Sequence, residues 1–191
     1  MQRSQSMGGK IIIGLDPGSL IMGFGIIQES AIGSAIKLID YGILELKKYK
    51  GHMLRMRHIY LHMVGLFQKH TPDAVAIESI FYGSNVQSML KLGRAQGVAI
   101  AAALACDMPI TEYAPRKVKQ AVTGNGNASK EQVAAMVGHL LNLPIPSTFL
   151  DASDALAVAL CHSQQRLSST AKPKTWSQFI TAHPNRKLSV C

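Results

Sequence analysis

The sequence predicts an α/β domain built on a mixed sheet, with helices packed against it in two or three layers. Two patterns carry this expectation. Three apolar, strand-like runs follow one another near the N-terminus, and beyond them helical segments alternate with short apolar runs. Size is the third observation: 191 residues, 47% hydrophobic and 16% charged, suffice for one buried core. The same composition excludes disordered, collagen-like and coiled-coil classes.

Residues 1–9 are small and polar and read as a loose lead-in; the folded domain spans 10–166. Residues 11–15 form a buried strand that Pro17-Gly18-Ser19 breaks, and 23–27 resume a strand after the turn. Residues 37–46 alternate well enough for a third strand, which completes a meander. Over 54–69, Met56, Ile59, Met63, Leu66 and Phe67 recur at helical spacing, and Thr71-Pro72-Asp73 ends that helix before a strand at 74–77. A second helix over 85–105 carries Gly93 and Gly97 four apart, where another element could approach closely. A short strand within 108–113 leads to a basic helix over 116–122, with Pro115 in its first turn. Residues 123–129 are a loop, in which Asn125, Gly126 and Asn127 read as a flexible segment or an ordinary turn. Ser129 with Gln132 is a capping-box start to the next helix, and 151–165 is the last. Residues 167–191 read as a basic, flexible tail in which Trp176, Phe179 and Ile180 could dock.

No run reaches the roughly 20 apolar residues of a membrane span. Residues 132–150 lack charge but are interrupted by His139, Asn142, Pro144 and Pro146. Residues 11–15 are too short for a signal-peptide core and run into Asp16, so a cytoplasmic protein is expected. Cys106, Cys161 and Cys191, odd in number and far apart, suggest neither a disulfide framework nor a zinc site. His58 and His62 stand four apart on one helix but lack further soft ligands, and are read as surface residues. Twenty Lys and Arg against eleven Asp and Glu give a net charge of +9, the balance that suits a polyanionic partner such as nucleic acid. Part of that excess follows Asp154, after which there is no acid while Arg166, Lys172, Lys174, Arg186 and Lys187 remain.

Four of the eleven acids sit in apolar settings. Asp16 and Glu78 end buried strands, and Asp151 and Asp154 stand among alanines and leucine, three apart on one helix face. A carboxylate in such a place needs a cation, a partner charge or solvent. Helix capping explains the Asp151/Asp154 pair as readily as a site does, and Asp-Pro-Gly is a frequent turn. Taken together, oxygen ligands from separated segments are what hard cations such as Mg²⁺ or Mn²⁺ require, and two such ions can clamp a phosphodiester.

Five strings in order carry a resemblance. They are Ile13-Gly-Leu-Asp-Pro-Gly-Ser19 with Gly23-Phe-Gly25; Ala76-Ile-Glu-Ser-Ile-Phe81; Leu92-Gly-Arg-Ala-Gln-Gly97; Tyr113-Ala-Pro-Arg-Lys-Val-Lys119; and Asp151-Ala-Ser-Asp-Ala-Leu-Ala157. Together they resemble the RuvC family of Holliday-junction resolvases over residues 10–162. The resemblance implies an RNase H-like fold with a mixed central sheet flanked by helices. It also implies a homodimer that nicks two opposed strands of a four-way DNA junction in recombination and repair, with divalent metal, leaving 5′-phosphates. A branch-migration helicase complex is an implied partner. Carried over by position, Asp16, Glu78, Asp151 and Asp154 become the catalytic carboxylates, holding two Mg²⁺ per site, with Mn²⁺ as a substitute. Phe81, with Tyr82 beside it, matches an aromatic presented near the junction centre, although either residue could be core. Lys119 and Lys130 match basic positions implicated in DNA contact or catalysis, and Arg116 and Lys117 are neighbouring phosphate-binding candidates. The helix bearing Gly93 and Gly97 corresponds to the dimer-contact segment.

Two other readings compete. Residues 14–19 could be the phosphate loop of an actin-like or sugar-kinase ATPase, but that architecture needs a second domain and a second phosphate loop. A non-catalytic junction binder is the alternative outside the enzymes, and it gains nothing from four acids facing phosphates.

Overall fold

The computed structural model describes residues 9–30, 35–80, 85–143 and 150–169; of the expected lead-in (1–9) and tail (167–191), residues 1–8 and 170–191 lie outside them, while 167–169 continue the last helix rather than begin a flexible tail. A five-stranded sheet in the order β3-β2-β1-β4-β5 forms its centre. β1 (Ile11–Asp16), β2 (Ile21–Glu29) and β3 (Ile36–Glu45) make the antiparallel meander, and β4 (Ala74–Glu78) and β5 (Ile110–Tyr113) extend the sheet in parallel with β1. Helices α1 (His52–His70) and α2 (Val86–Ala105) link the strands, and α3 (Pro115–Thr123), α4 (Lys130–Leu140) and α5 (Leu150–Ser169) follow. This strand order and polarity is the RNase H-like arrangement that the sequence resemblance implied.

Alternation along the strands sorts the sheet into two cores. Ile13, Leu15, Met22, Phe24, Val75 and Ile77 pack with Met56, Ile59 and Met63 of α1 and Ala95, Ala99 and Ala102 of α2. Ile12, Ile27 and Ala76 turn the other way, under Val118 and Val122 of α3, Val133 and Val137 of α4, and Leu156 to Cys161 of α5. The domain is therefore three layers, helices on both faces of the sheet. α5 is buried on every side from Ala155 to Ser163, which is why its sequence is apolar all round rather than amphipathic.

That helix lies on the sheet backbone to backbone. A Cβ on Gly14 would sit 2.1 Å from the Ala155 carbonyl oxygen, and one on Gly23 would sit 2.0 Å from the Asp151 carbonyl oxygen. Only glycine leaves that space on β1 and β2, and Ala155 and Ala159 keep the helix side equally bare.

Several expectations need correction. Among the described residues no other element packs closely on Gly93 or Gly97: a Cβ on Gly97 meets none of them within 4 Å, and one on Gly93 meets Ile80 Cδ1 at 3.7 Å. His58 and His62 are partly buried packing residues rather than free surface ones. His58 stacks on Tyr49 with ring centroids 3.5 Å apart, and His62 meets Phe24 edge-on at 5.6 Å, where burial pushes its pKa down. Of the two readings of the loop after α3, the hydrogen bonds fit the ordinary turn. Gln120 donates from Nε2 to the Gly124 carbonyl and accepts from the Gly126 N–H, and the Asn127 N–H donates to Asn125 Oδ1. The capping box is present as expected, with Ser129 accepting from the Gln132 N–H and Gln132 Oε1 accepting from the Ser129 N–H.

Candidate active site

β1 and β4 run parallel and end at the same edge of the sheet. Since Ile12 and Gly14 face α5, the period of two sends Asp16 to that face too; Ala76 does the same for Glu78. Asp16 pairs across the ladder with Gly23, the residue whose bare Cα lets the first turn of α5 settle onto β2. That turn carries Asp151 and, three residues on, Asp154. The helix already includes Leu150, so Asp151 lies inside its first turn and is not its cap. The outcome is a cluster: Asp16, Asp151 and Asp154 each present a carboxylate oxygen, all within 4.8 Å of one another. Glu78 stands outside that threefold group, near enough for its charge to act on Asp16 and for the charge of Asp154 to act on it.

Electrostatics mark the cluster as short of positive charge. Burial, then the charges of Glu78 and Asp154, hold the Asp16 carboxyl well above the usual carboxylate range. Burial and Asp154 likewise push Glu78 up to about 7. The compensating cation is Lys130, whose Nζ lies 2.7 Å from Asp154 Oδ2 and 3.8 Å from Asp151 Oδ1. Burial pulls the Lys130 ammonium down, but its hydrogen bond to Asp154 and the charges of Asp154, Asp16 and Asp151 outweigh this and raise its pKa.

The other basic residues divide. Lys119 donates from Nζ to the Ala128 carbonyl at 2.7 Å, which ties α3 to the turn before α4, and its charge lowers the pKa of Glu78. Arg116 and Lys117 stay exposed on α3; Lys117 Nζ lies 5.2 Å from the centroid of the Tyr113 ring. Phe81 and Tyr82 lie outside the described residues.

Three supports escaped the sequence reading. Gln96, buried on α2, donates from Nε2 to the Glu78 carbonyl at 3.1 Å and to Glu112 Oε2 at 3.3 Å, holding the end of β4. Tyr113 and His162, both buried, share a 2.9 Å hydrogen bond that pins α5 to β5. The glycine notches are the third, and the small residues Ala152, Ala155 and Ala159 on α5 were their only sequence signal.

The donor set fits a hard divalent cation. It is all carboxylate oxygen, with no His or Cys in the group, and Asp16 with nearby Glu78, whose pKa values burial and neighbouring acid charges raise, gain from added positive charge.

Comparison with known proteins agrees with the fold. A family model described as crossover junction endodeoxyribonuclease RuvC matches residues 12–162. A protein of that name from Porphyromonas gingivalis is 47% identical over 184 residues, 93% of this chain and 96% of the relative. One from Cytophaga hutchinsonii is 48% identical over 181 residues, 95% of this chain and 90% of the relative. Thermus thermophilus RuvC, solved in complex with a Holliday junction substrate, superposes with a TM-score of 0.75 at 32% identity, covering 86% of this chain and 99% of that one. With three carboxylates gathered at the sheet edge and relatives matching nearly end to end, the chain belongs to the RuvC family of crossover junction endodeoxyribonucleases.

Proposed function

We propose that this chain resolves four-way DNA junctions by metal-dependent, paired nicking of two opposed strands, with Asp16, Glu78, Asp151 and Asp154 as its catalytic carboxylates. The observation that carries the proposal is the convergence of Asp16, Asp151 and Asp154 from β1 and α5. Membership of a family whose Thermus member was solved with a Holliday junction supports the substrate.

Asp16, Asp151 and Asp154 would hold Mg²⁺, with Glu78 completing the set for a second ion; Mn²⁺ offers the same oxygen preference. When bound, two such ions supply charge neutralisation on the scissile phosphate and leaving oxygen and an acidified water as nucleophile. The chain's own residues do the positioning. Asp16 is fixed by its ladder pairing to Gly23, Asp151 and Asp154 by the seating of α5, and Glu78 by the Gln96 bond to its carbonyl. Lys119 and Lys130 meet phosphate beside the acids, while Arg116, Lys117, Phe81 and Tyr82 extend the DNA contact.

Paired nicking follows from a homodimer, in which two-fold symmetry sets two sites on opposed strands. α2 supports it: Val86, Leu90 and Leu104 are exposed by 66%, 58% and 61%, and Gly97 opens onto free space on the same helix. The protein acts in the cytoplasm with a branch-migration helicase complex; no described helix is long and apolar enough to cross a membrane.

The test compares wild type with Asp16→Asn on a labelled mobile junction, with and without Mg²⁺, on a denaturing gel. Symmetric nicks by wild type only, and only with metal, while the variant still binds, are the expected result. Tight binding without nicks under any divalent metal would overturn the catalytic reading and leave a structural junction binder.

A further inference from the structure

Lys130 occupies the place where positive charge is needed. Its ammonium touches Asp154 Oδ2 at 2.7 Å, stands 3.8 Å from Asp151 Oδ1, and its field reaches Asp16. Among the described residues it is the only cation ion-paired with either aspartate. Those three acids are also the ones whose oxygens gather within 4.8 Å.

A divalent ion in that cluster would need oxygens of Asp154 at roughly 2.0–2.1 Å if it were Mg²⁺, and an ammonium hydrogen-bonded to the same carboxylate repels it. The two cations compete for one anion. The lysine is the one able to move: its side chain is 54% exposed, whereas Asp154 is 15% exposed on a helix fixed in the core. Its backbone stays in place, held by the Ser129/Gln132 capping box and by Lys119 on the Ala128 carbonyl, so the movement is a change of rotamer on a fixed helix start.

We infer that Lys130 is a built-in counter-cation of the metal-free site, which entering metal must displace from Asp154, so that Lys130 weakens metal affinity in the absence of DNA. Before loading, the ammonium holds mutually repelling carboxylates together. After loading, the same ammonium is free at the rim of the site, beside the position a phosphate takes, so metal binding and phosphate contact are linked through one side chain. This rests on the carboxylates being a metal centre, as proposed above.

The experiment is a Mn²⁺ titration of full-length, metal-stripped protein without DNA, read by loss of the free-ion EPR signal. Wild type, Lys130→Met, Lys130→Gln, Lys130→Arg and Asp154→Asn are compared, with melting curves to show that each is folded. Removing a charge-assisted hydrogen bond that opposes the metal should tighten Mn²⁺ binding about tenfold in both neutral variants. Lys130→Arg, which keeps a cation, should stay within roughly threefold of wild type by the same argument. Asp154→Asn should bind more weakly than any of them. A lysine with a merely structural role would loosen the cluster on removal, so equal or weaker Mn²⁺ binding by folded Lys130→Met and Lys130→Gln overturns the inference while the effect of Asp154→Asn upholds the metal centre. Absence of Mn²⁺ binding in wild type and neutral variants alike would overturn both.

Discussion

Substituting Gly23 by alanine separates the positioning of the acids from their chemistry. The new Cβ would fall 2.0 Å from the Asp151 carbonyl oxygen, 2.6 Å from its carbonyl carbon and 3.3 Å from the Ala152 nitrogen. Ordinary contact begins at 3.4 Å, so about 1.4 Å must open between β2 and α5. The strand cannot yield readily, because β2 is laddered to β1 on one side and β3 on the other. The obstacle is backbone, which no rotamer change removes. The first turn of α5 therefore lifts, taking Asp151 and Asp154 away from Asp16. Overpacking of this kind costs about 1–3 kcal/mol, which for a domain of this size lowers Tm by several degrees. Displacement of catalytic groups by about 1 Å lowers the rate on the order of 10²-fold. Single-turnover nicking of a labelled junction at saturating protein measures the rate, and gel shifts in Ca²⁺ measure binding. Binding close to wild type with nicking down about a hundredfold is expected. Gly65→Ala is the control: its Cβ meets nothing within 4 Å, so it should gain about 0.5–1 kcal/mol of helix stability and nick normally. Wild-type nicking and Tm in Gly23→Ala would refute the reasoning, since α5 would then not be seated by that notch.

Three further outcomes are expected. Glu78, raised to about 7 by burial and then by Asp154, keeps its proton in the folded chain between its ordinary value near 4.5 and about 7, while the unfolded chain loses it. Metal-free protein therefore loses stability as pH rises through that window, by up to about 3 kcal/mol, and the unfolding free energy of Glu78→Gln should gain on wild type over the same range in urea titrations with EDTA; a constant gap would contradict this. Tyr113→Phe removes the hydroxyl that meets His162 Nδ1 at 2.9 Å in a buried setting, and should lower unfolding free energy by about 1–2 kcal/mol while nicking per folded molecule at low temperature is kept. Leu90→Glu places a charge on the exposed stripe of α2 where the proposed homodimer would meet, and should shift sedimentation from dimer to monomer; a monomeric wild type would refute the dimer, and an unchanged dimer would move the interface elsewhere.

What was legible in the sequence was whatever local physics decides. The apolar runs ending in Asp16 and Glu78 read as strands because alternation and burial are written residue by residue, and Ser129 with Gln132 read as a cap because both partners lie within one turn. Pro115 opened α3 for the same reason. Asp151 and Asp154 read as a cap or as a site, and Leu150 inside the helix bears on the cap alone, by placing Asp151 within the first turn. What stayed hidden depends on partners distant in the chain. Lys130 reads as a DNA contact, yet its hydrogen bond is to a residue 24 positions away. His58 and His62 read as surface residues because nothing local announces Tyr49 or Phe24. The glycines of β1 and β2 read as members of apolar strand runs, and their meaning as notches needs the path of α5. Asn125 to Asn127 have the composition of a loose loop, but the Gln120 side chain, from the preceding helix, pins it.

The helix that fills those notches is also the last described element of the chain. Asp16 emerges early in synthesis, whereas Asp151 and Asp154 emerge only after the whole sheet has been made. A nascent or truncated chain ending before residue 150 contains the sequence of all five strands, with Asp16 and Glu78 ending two of them, but lacks the α5 residues that cover one face of the sheet. Such a chain lacks two of the three clustered carboxylates, so it lacks the centre proposed above. The order of the elements therefore withholds the proposed metal site from any copy that stops short of α5, and the last two acids arrive in the same step that closes the core.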